Sequence, residues 1–234
     1  MRLILIRHGD PDYEHDSLTE KGVREAELLS ERVKKWNVTD FYCSPLGRAK
    51  RTAEPTLAKT GREAIELPWL REFLYLVDGK EGKRIPWDYY PSEWTNEKPL
   101  FDEETWHNAY PMTTGEVPVR YEELKRELDK LLKGYGYERD GKFYRVRAHS
   151  DATAVCFCHF GVSMVILSHL LNIPAPSLLH GCFMAPTSVT VLNTEERFED
   201  EAYFRLQVLG DTAHLRDGNE PPSQSGYFAP MHIE

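Results

Sequence analysis

Cysteine is scarce in this chain, with four among 234 residues (Cys43, Cys156, Cys158 and Cys182) at irregular spacing. That excludes a disulfide framework and suits reduced thiols in a core. Long apolar runs are also missing. No stretch approaches the ~18 residues that span a bilayer, and the N-terminal run Leu3 to Ile6 meets Arg7 and His8 too soon for a signal peptide. A cytoplasmic protein is expected. Nor is there an excess of positive charge. The 29 Lys and Arg against 38 Asp and Glu leave −9, so no general attraction to nucleic acid or to a membrane surface is expected. Any anion site must be built locally. There is no internal repeat or low-complexity tract, and with 15 Gly, 15 Pro and 41% apolar residues neither a fibrous nor a disordered composition fits.

What is present alternates between strand and helix. Leu3 to Ile6 is an apolar run without polar alternation, the signature of a strand covered on both faces. Val23, Ala26, Leu29, Val33 and Trp36 recur at helical spacing, with Ser17 or Thr19 available as N-cap. Asp40 to Cys43 reads as a second strand. Ser44-Pro45 then supplies a cap and a first-turn proline, and Pro55 is expected to kink or divide the helix that follows. Ala64 to Leu67 is a third strand, Glu116 to Lys133 a helix, Phe143 to Ala148 a strand, and Ala154 to Cys158 a buried strand running into His159. The next helix, Val162 to Leu171, is apolar nearly all round and belongs at the centre. Ser188 to Leu192 and Tyr203 to Leu209 are late strands, and the tail after Arg216 reads as irregular surface chain.

The expected fold is therefore α/β, a three-layer sandwich with a mostly parallel sheet covered by helices on both faces, spanning 1–234 as a single domain. Residues 75–115, rich in Trp, Tyr and Pro without a clear period, are too long for a passive connection and read as an inserted lid or subdomain. Its aromatics either pack on the sheet or line a pocket for an apolar or ring-bearing group. Open sheets bind ligands at the carboxyl ends of their strands. Three strands here end in basic or reactive chemistry, at Arg7-His8, before Arg48, and at His159.

Taken together, Arg7-His8-Gly9, Leu18-Thr19-Glu20-Lys21-Gly22, Ser44-Pro45-Leu46-Gly47-Arg48-Ala49, Leu70-Arg71-Glu72, Gly115-Glu116, the strand into His159 and Gly210-Asp211-Thr212-Ala213-His214-Leu215 form an ordered set. The set resembles the histidine phosphatase superfamily, which includes the cofactor-dependent phosphoglycerate mutases. The resemblance implies a phosphoryl group carried on His8, clamped by Arg7, Arg48 and His159, with Glu72 as proton donor and no metal or cofactor. The chemistry suits those residue types. A neutral imidazole attacks phosphorus and splits one displacement into two. Guanidinium forks match phosphate oxygens. His159 is expected to donate to the same oxygens as imidazolium.

The sequence departs from the family pattern twice. Phe160 stands where a small residue usually follows the second histidine, and Glu25 stands where glutamine is common. Asp10 and Glu116 remain alternative pocket acids beside Glu72. Cys156, Cys158 and His159 suggest a metal site, but strand alternation puts the thiols on one face and His159 on the other, so core cysteines are expected. Arg48 also reads as a solvated helix-start charge, except that the helix dipole disfavours a cation there without a neutralising anion. Arg51 is expected to be an exposed charge. The function expected is hydrolysis of a small phosphomonoester. A phosphomutase and a low-turnover phospholigand-binding module are the alternatives.

Overall fold

In the computed structural model, which describes residues 1–198 and 200–229, the first strand explains the layering. Along β1 (Arg2–Arg7), Leu3 and Leu5 enter one apolar core while Ile4 and Ile6 enter another. Both faces are covered, which is why the run shows no polar alternation. A small ribbon, β2 (Pro11–Asp12) and β3 (Ser17–Leu18), leads to α1 (Glu20–Val33), and then come β4 (Asp40–Cys43), α2 (Gly47–Thr60) and β5 (Ala64–Glu66). The 75–115 segment holds a hairpin, β6 (Val77–Gly79) and β7 (Gly82–Arg84), then α3 (Pro91–Trp94) and three short 3-10 turns. The chain continues through α4 (Val117–Gly134), β8 (Tyr137–Asp140), β9 (Phe143–Val146), β10 (Thr153–Cys158), α5 (Phe160–Leu171) and α6 (Ala175–Gly181). It closes with β11 (Val189–Phe198), β12 (Glu201–Asp211) and α7 (Ala213–Asp217).

These build an α/β fold with an eight-stranded sheet in the order β5-β4-β10-β1-β11-β12-β9-β8. Leu29 and Val33 of α1 and Ala49 and Ala53 of α2 cover one face, while α4, α5 and α6 cover the other. The sheet is mixed. Parallel pairing is confined to β5, β4, β10 and β1, and every pair from β1 to β8 is antiparallel. β12 follows β11 almost directly, too short a link for the crossover that parallel neighbours need. The β8 strand gave no clear period in the sequence. No helix among the described residues is long and apolar enough to cross a membrane.

Several local expectations hold and others are corrected. Thr19 is the cap of α1, accepting from the Gly22 N–H at 3.1 Å. α5 is buried on all sides, as its composition demands. Pro55 does not divide α2, because the carbonyl it deprives of a partner belongs to Arg51, an exposed residue that water can satisfy. Ser44 does not cap that helix. α2 starts at Gly47, and its first N–H is met at 2.6 Å by Asp16 Oδ2 from the β2–β3 turn. Residues 219–229 are not loose surface chain. Glu220 pairs with Lys21 at 2.5 Å and Arg24 at 3.1 Å, Ser223 donates to Asp10, and Tyr227 stacks on Phe183 with centroids 3.6 Å apart.

The loop after β1 is pinned by close contact. A Cβ on Gly22 would lie 2.2 Å from the Asp10 carbonyl oxygen, so α1 reaches this loop only with glycine there. Fully buried Glu25 accepts the Asp10 N–H at 2.8 Å through Oε2, while Oε1 has no hydrogen bond and Lys21 Nζ stands 3.6 Å away. Burial dominates and pushes this carboxyl from 4.5 up to about 7, against the Asp10 N–H and Lys21. The unfolded chain ionises near the ordinary value, so the penalty on folding grows as pH rises from 4.5 to about 7 and is constant above. Glu25→Gln keeps the acceptor and removes the charge. It should stabilise the fold by roughly 1–3 kcal/mol at high pH, with little effect near the carboxyl's ordinary value. Melting temperatures of both proteins at the two pH values test this, and a variant that melts no higher than the parent at high pH contradicts it.

Candidate active site

The register of three parallel strands assembles the site. Arg7 pairs with Cys158 and Phe157 with Cys43, so β1, β10 and β4 end side by side. The His8 N–H then donates to the Cys158 carbonyl and the Ser44 N–H to the Phe157 carbonyl, both at 2.9 Å. His8, His159 and Ser44 thus emerge along one edge. The two imidazole rings lie 5.1 Å apart between centroids, tilted by 57°. The chain's two halves meet here.

His8 is held in one tautomer. Its Nδ1 lies 2.8 Å from the Gly9 carbonyl, which only accepts, so Nδ1 carries the proton and Nε2 keeps its lone pair. Nε2 has no hydrogen-bond partner among the described residues. The Gly9 N–H donates in turn to Thr52 Oγ1 at 2.9 Å, and the Thr187 N–H donates to the Arg7 and His8 carbonyls, both at 3.1 Å. His214 meets Thr187 Oγ1 at 3.0 Å, which gives the Gly210–Leu215 segment a place behind the nucleophile loop. Burial, reinforced by Arg7 and Arg48, pushes the His8 pKa well below 6.5.

His159 sits at the N-terminus of α5 with Nε2 2.7 Å from Ser44 Oγ. That hydroxyl also accepts the Leu46 N–H at 3.2 Å; in the tautomer where its own proton serves Nε2, the ring proton is on Nδ1. Burial, then His8, Arg48 and Arg7, push this ring well below 6.5 as well. The protein alone favours neutral His159, and the imidazolium expected from the sequence requires a bound anion's charge to offset those cations. Cys156 and Cys158 point into the core facing α5, away from this ring.

The cations are buried and only partly satisfied. Arg7 Nη1 donates to the Met184 carbonyl at 2.5 Å and Arg48 Nη1 to Asp16 Oδ1 at 2.6 Å. Asp16 is therefore the anion that neutralises Arg48 beside the first turn of α2, a residue with no motif to mark it. The Nε atoms of Arg7 and Arg48 and Nδ1 of His159 are buried without hydrogen-bond partners among the described residues. Three unpaired donors beside a free imidazole nitrogen are costly unless an anion meets them.

Arg7, Arg48 and Glu72 line one cavity of about 310 Å³, together with Trp87 and Phe160. Glu72 Oε1 accepts from the Phe73 and Val162 N–H groups at 2.9 and 3.0 Å, which leaves Oε2 free. Gly161 permits this, since a Cβ there would lie 2.8 Å from Glu72 Oε1 and 2.5 Å from the Trp87 ring. The alternative acids face elsewhere. Asp10 holds Thr19 Oγ1 at 2.7 Å and Ser223, while Glu116 pairs with Arg120 at 3.2 Å on the surface. Arg51 is exposed and paired with Glu54. It borders a larger open groove of about 830 Å³ beside α2 that none of Arg7, Arg48 and Glu72 lines; His8 and His159 are in the lining of neither cavity.

A model of the Histidine phosphatase superfamily (branch 1) matches residues 3–202. The chain belongs to this superfamily. It is 28% identical over 196 residues to the adenosylcobalamin/alpha-ribazole phosphatase of Salmonella typhi, covering 77% of this chain and 84% of that one. A shorter match, 38% identical over 81 residues, covers 31% of this chain and 38% of a probable phosphoglycerate mutase of Photorhabdus laumondii. The phosphoserine phosphatase of Entamoeba histolytica, solved with phosphoserine, shares the fold at a TM-score of 0.62 and 20% identity, over 92% of this chain and 98% of that one. Homologues in this superfamily include phosphatases acting on small phosphorylated substrates.

The electrostatics give a direct test within this histidine phosphatase fold. Exposed His149 is raised above 6.5 by Glu196 and Asp151, whereas His8 and His159 are lowered below it. An NMR titration of the imidazole carbons at pH 6.5 should find His149 mostly protonated and both site rings neutral. A His8 signal that protonates at or above that pH contradicts the neutral nucleophile.

Proposed function

We propose that the protein is a phosphomonoester hydrolase working through a phosphohistidine on His8. The observation that carries this reading is the set of three buried, unpaired donors, on Arg7, Arg48 and His159, beside an imidazole whose free nitrogen is Nε2. His8 Nε2 attacks phosphorus and the ester P–O bond breaks. Glu72, protonated on Oε2, gives its proton to the leaving oxygen. Water then attacks phosphorus, Glu72 accepts its proton, and the N–P bond breaks to regenerate neutral His8. The guanidinium groups hold the charge spread over the equatorial oxygens, and the His159 ring, its protonated form favoured by the dianion beside it, donates a hydrogen bond to one of them. The 75–115 segment serves as a lid-like insertion, with Trp87 over the phosphate end.

A phosphomutase would return the phosphoryl group to a substrate hydroxyl and must hold a doubly phosphorylated species on the way. The cavity's two cations suit one phosphoryl group better than two. Hydrolysis is therefore the reading we favour over the mutase and over a module that only binds phospholigands. His8→Ala should lower turnover of a generic phosphomonoester by about a thousandfold or more while the melting temperature stays near that of the parent. Parental rates in the variant refute the nucleophile. Product analysis on the parent should find free phosphate, and an isomerised phosphoester in its place would establish the mutase.

A further inference from the structure

We propose, building on the hydrolase reading, that the site selects phosphomonoesters with an uncharged, ring-bearing leaving group and rejects those carrying a second anionic group. The cavity is divided by chemistry. Among the described residues its charged lining is Arg7, Arg48 and Glu72, the three that the hydrolase reading places around the phosphoryl group. The remainder is apolar and mainly aromatic. Tyr13, Trp87, Phe160, Phe183, Tyr227 and Phe228 face it from five separate parts of the chain, and Leu74 and Ile85 fill between them.

The rings are set in fixed relation to the phosphoryl end. Trp87 meets Phe160 edge-on, with centroids 5.8 Å apart at 76°, and Phe183 stacks on Tyr227 at 17°. The Arg7 guanidinium lies 5.8 Å from the Phe183 centroid and Arg48 lies 5.5 Å from that of Tyr13, so each clamp borders an aromatic surface. Phe160, where a small residue usually stands, and the tail at 226–228 are what narrow this space. A cavity of about 150 Å³ holds a benzene ring, so about 310 Å³ has room for a phosphoryl group and one ring system. Tyr13, Leu74 and Phe228 are 63%, 47% and 66% exposed, an apolar rim at the mouth that a ring would cover.

A carboxylate on the leaving group would fare badly. It would give up water against aromatic walls, with no further cation among the described lining residues to pair it. Arg71, the nearest basic residue in sequence to Glu72, is exposed and does not line the cavity.

Benzyl phosphate and phosphoserine provide the comparison, because both leave as primary alkoxides, so intrinsic reactivity does not favour the ring as it would for an aryl ester. The parent enzyme should show a kcat/KM for benzyl phosphate about a hundredfold above those for phosphoserine and 3-phosphoglycerate. Phe228→Ala at the exposed rim should shrink that ratio, and Leu74→Arg, which places a cation at the mouth, should shrink it further by raising turnover of 3-phosphoglycerate. Calorimetry with benzylphosphonate against phosphonoacetate reads the same preference without turnover. Equal or reversed preference in the parent, by either measurement, overturns the proposal. Absence of hydrolysis for every ester overturns the hydrolase reading alone, since phosphonate binding still decides the selectivity.

Discussion

Parallel pairing of β4, β10 and β1 is the constraint on which the site depends. Strands that run the same way end on the same edge, and the register here is such that Cys43, Cys158 and Arg7 finish together. The residues that follow each strand, Ser44, His159 and His8, are then neighbours across the sheet although 115 positions separate the first two in sequence. Backbone hydrogen bonds fix that spacing more firmly than any side-chain contact could. Two imidazoles 5.1 Å apart are a consequence of the ladder.

The same edge collects charge in a place where charge is expensive. Arg7 and Arg48 are 3% and 6% exposed, yet each has only part of its donor set satisfied by the protein. Burial of such groups works against folding, and the two apolar cores on either side of the sheet must outweigh it. Burial first, and then the positive field, lowers both imidazoles, so His8 stays neutral with its lone pair on Nε2. A phosphoryl dianion reverses the sign of that field locally. Stability and function pull in opposite directions here, as is usual where a site is prepared for a ligand of one charge.

Much of this was legible in the chain. Apolar periodicity marked α1 and α4, and unbroken apolar runs marked β1 and α5, because both patterns are set by local geometry and burial. Arg7, His8, Arg48 and His159 could be picked out because each closes a strand or opens a helix. The interior of the site was not legible in the same way. Asp16 looks like any turn carboxylate, Thr187 carries no motif, and Met184 contributes only its carbonyl; their roles follow from positions in space. The choice among Asp10, Glu72 and Glu116 likewise depended on which carboxylate faces the cavity. In the antiparallel half, β9, β11 and β12 were legible as strands, but their direction carries no local signal, and β8, with intermediate burial, has no strong period.

The amino-acid sequence by itself determined which segments become strand or helix, that both faces of the sheet are covered, and which residues terminate the strands. Those properties are decided within a few residues, by propensity and by the burial pattern. Tertiary structure alone decided what walls the cavity beside Arg7 and Arg48. The tail at 219–229, polar enough to read as surface chain, folds back so that Gly226 packs against the Arg7 guanidinium and Tyr227 stacks on Phe183. Phe160, a departure from the family pattern in sequence, becomes a cavity wall opposite Trp87. Such contacts join parts of the chain more than 40 residues apart, and no local rule of composition or spacing carries information across that distance until the sheet has brought the ends together.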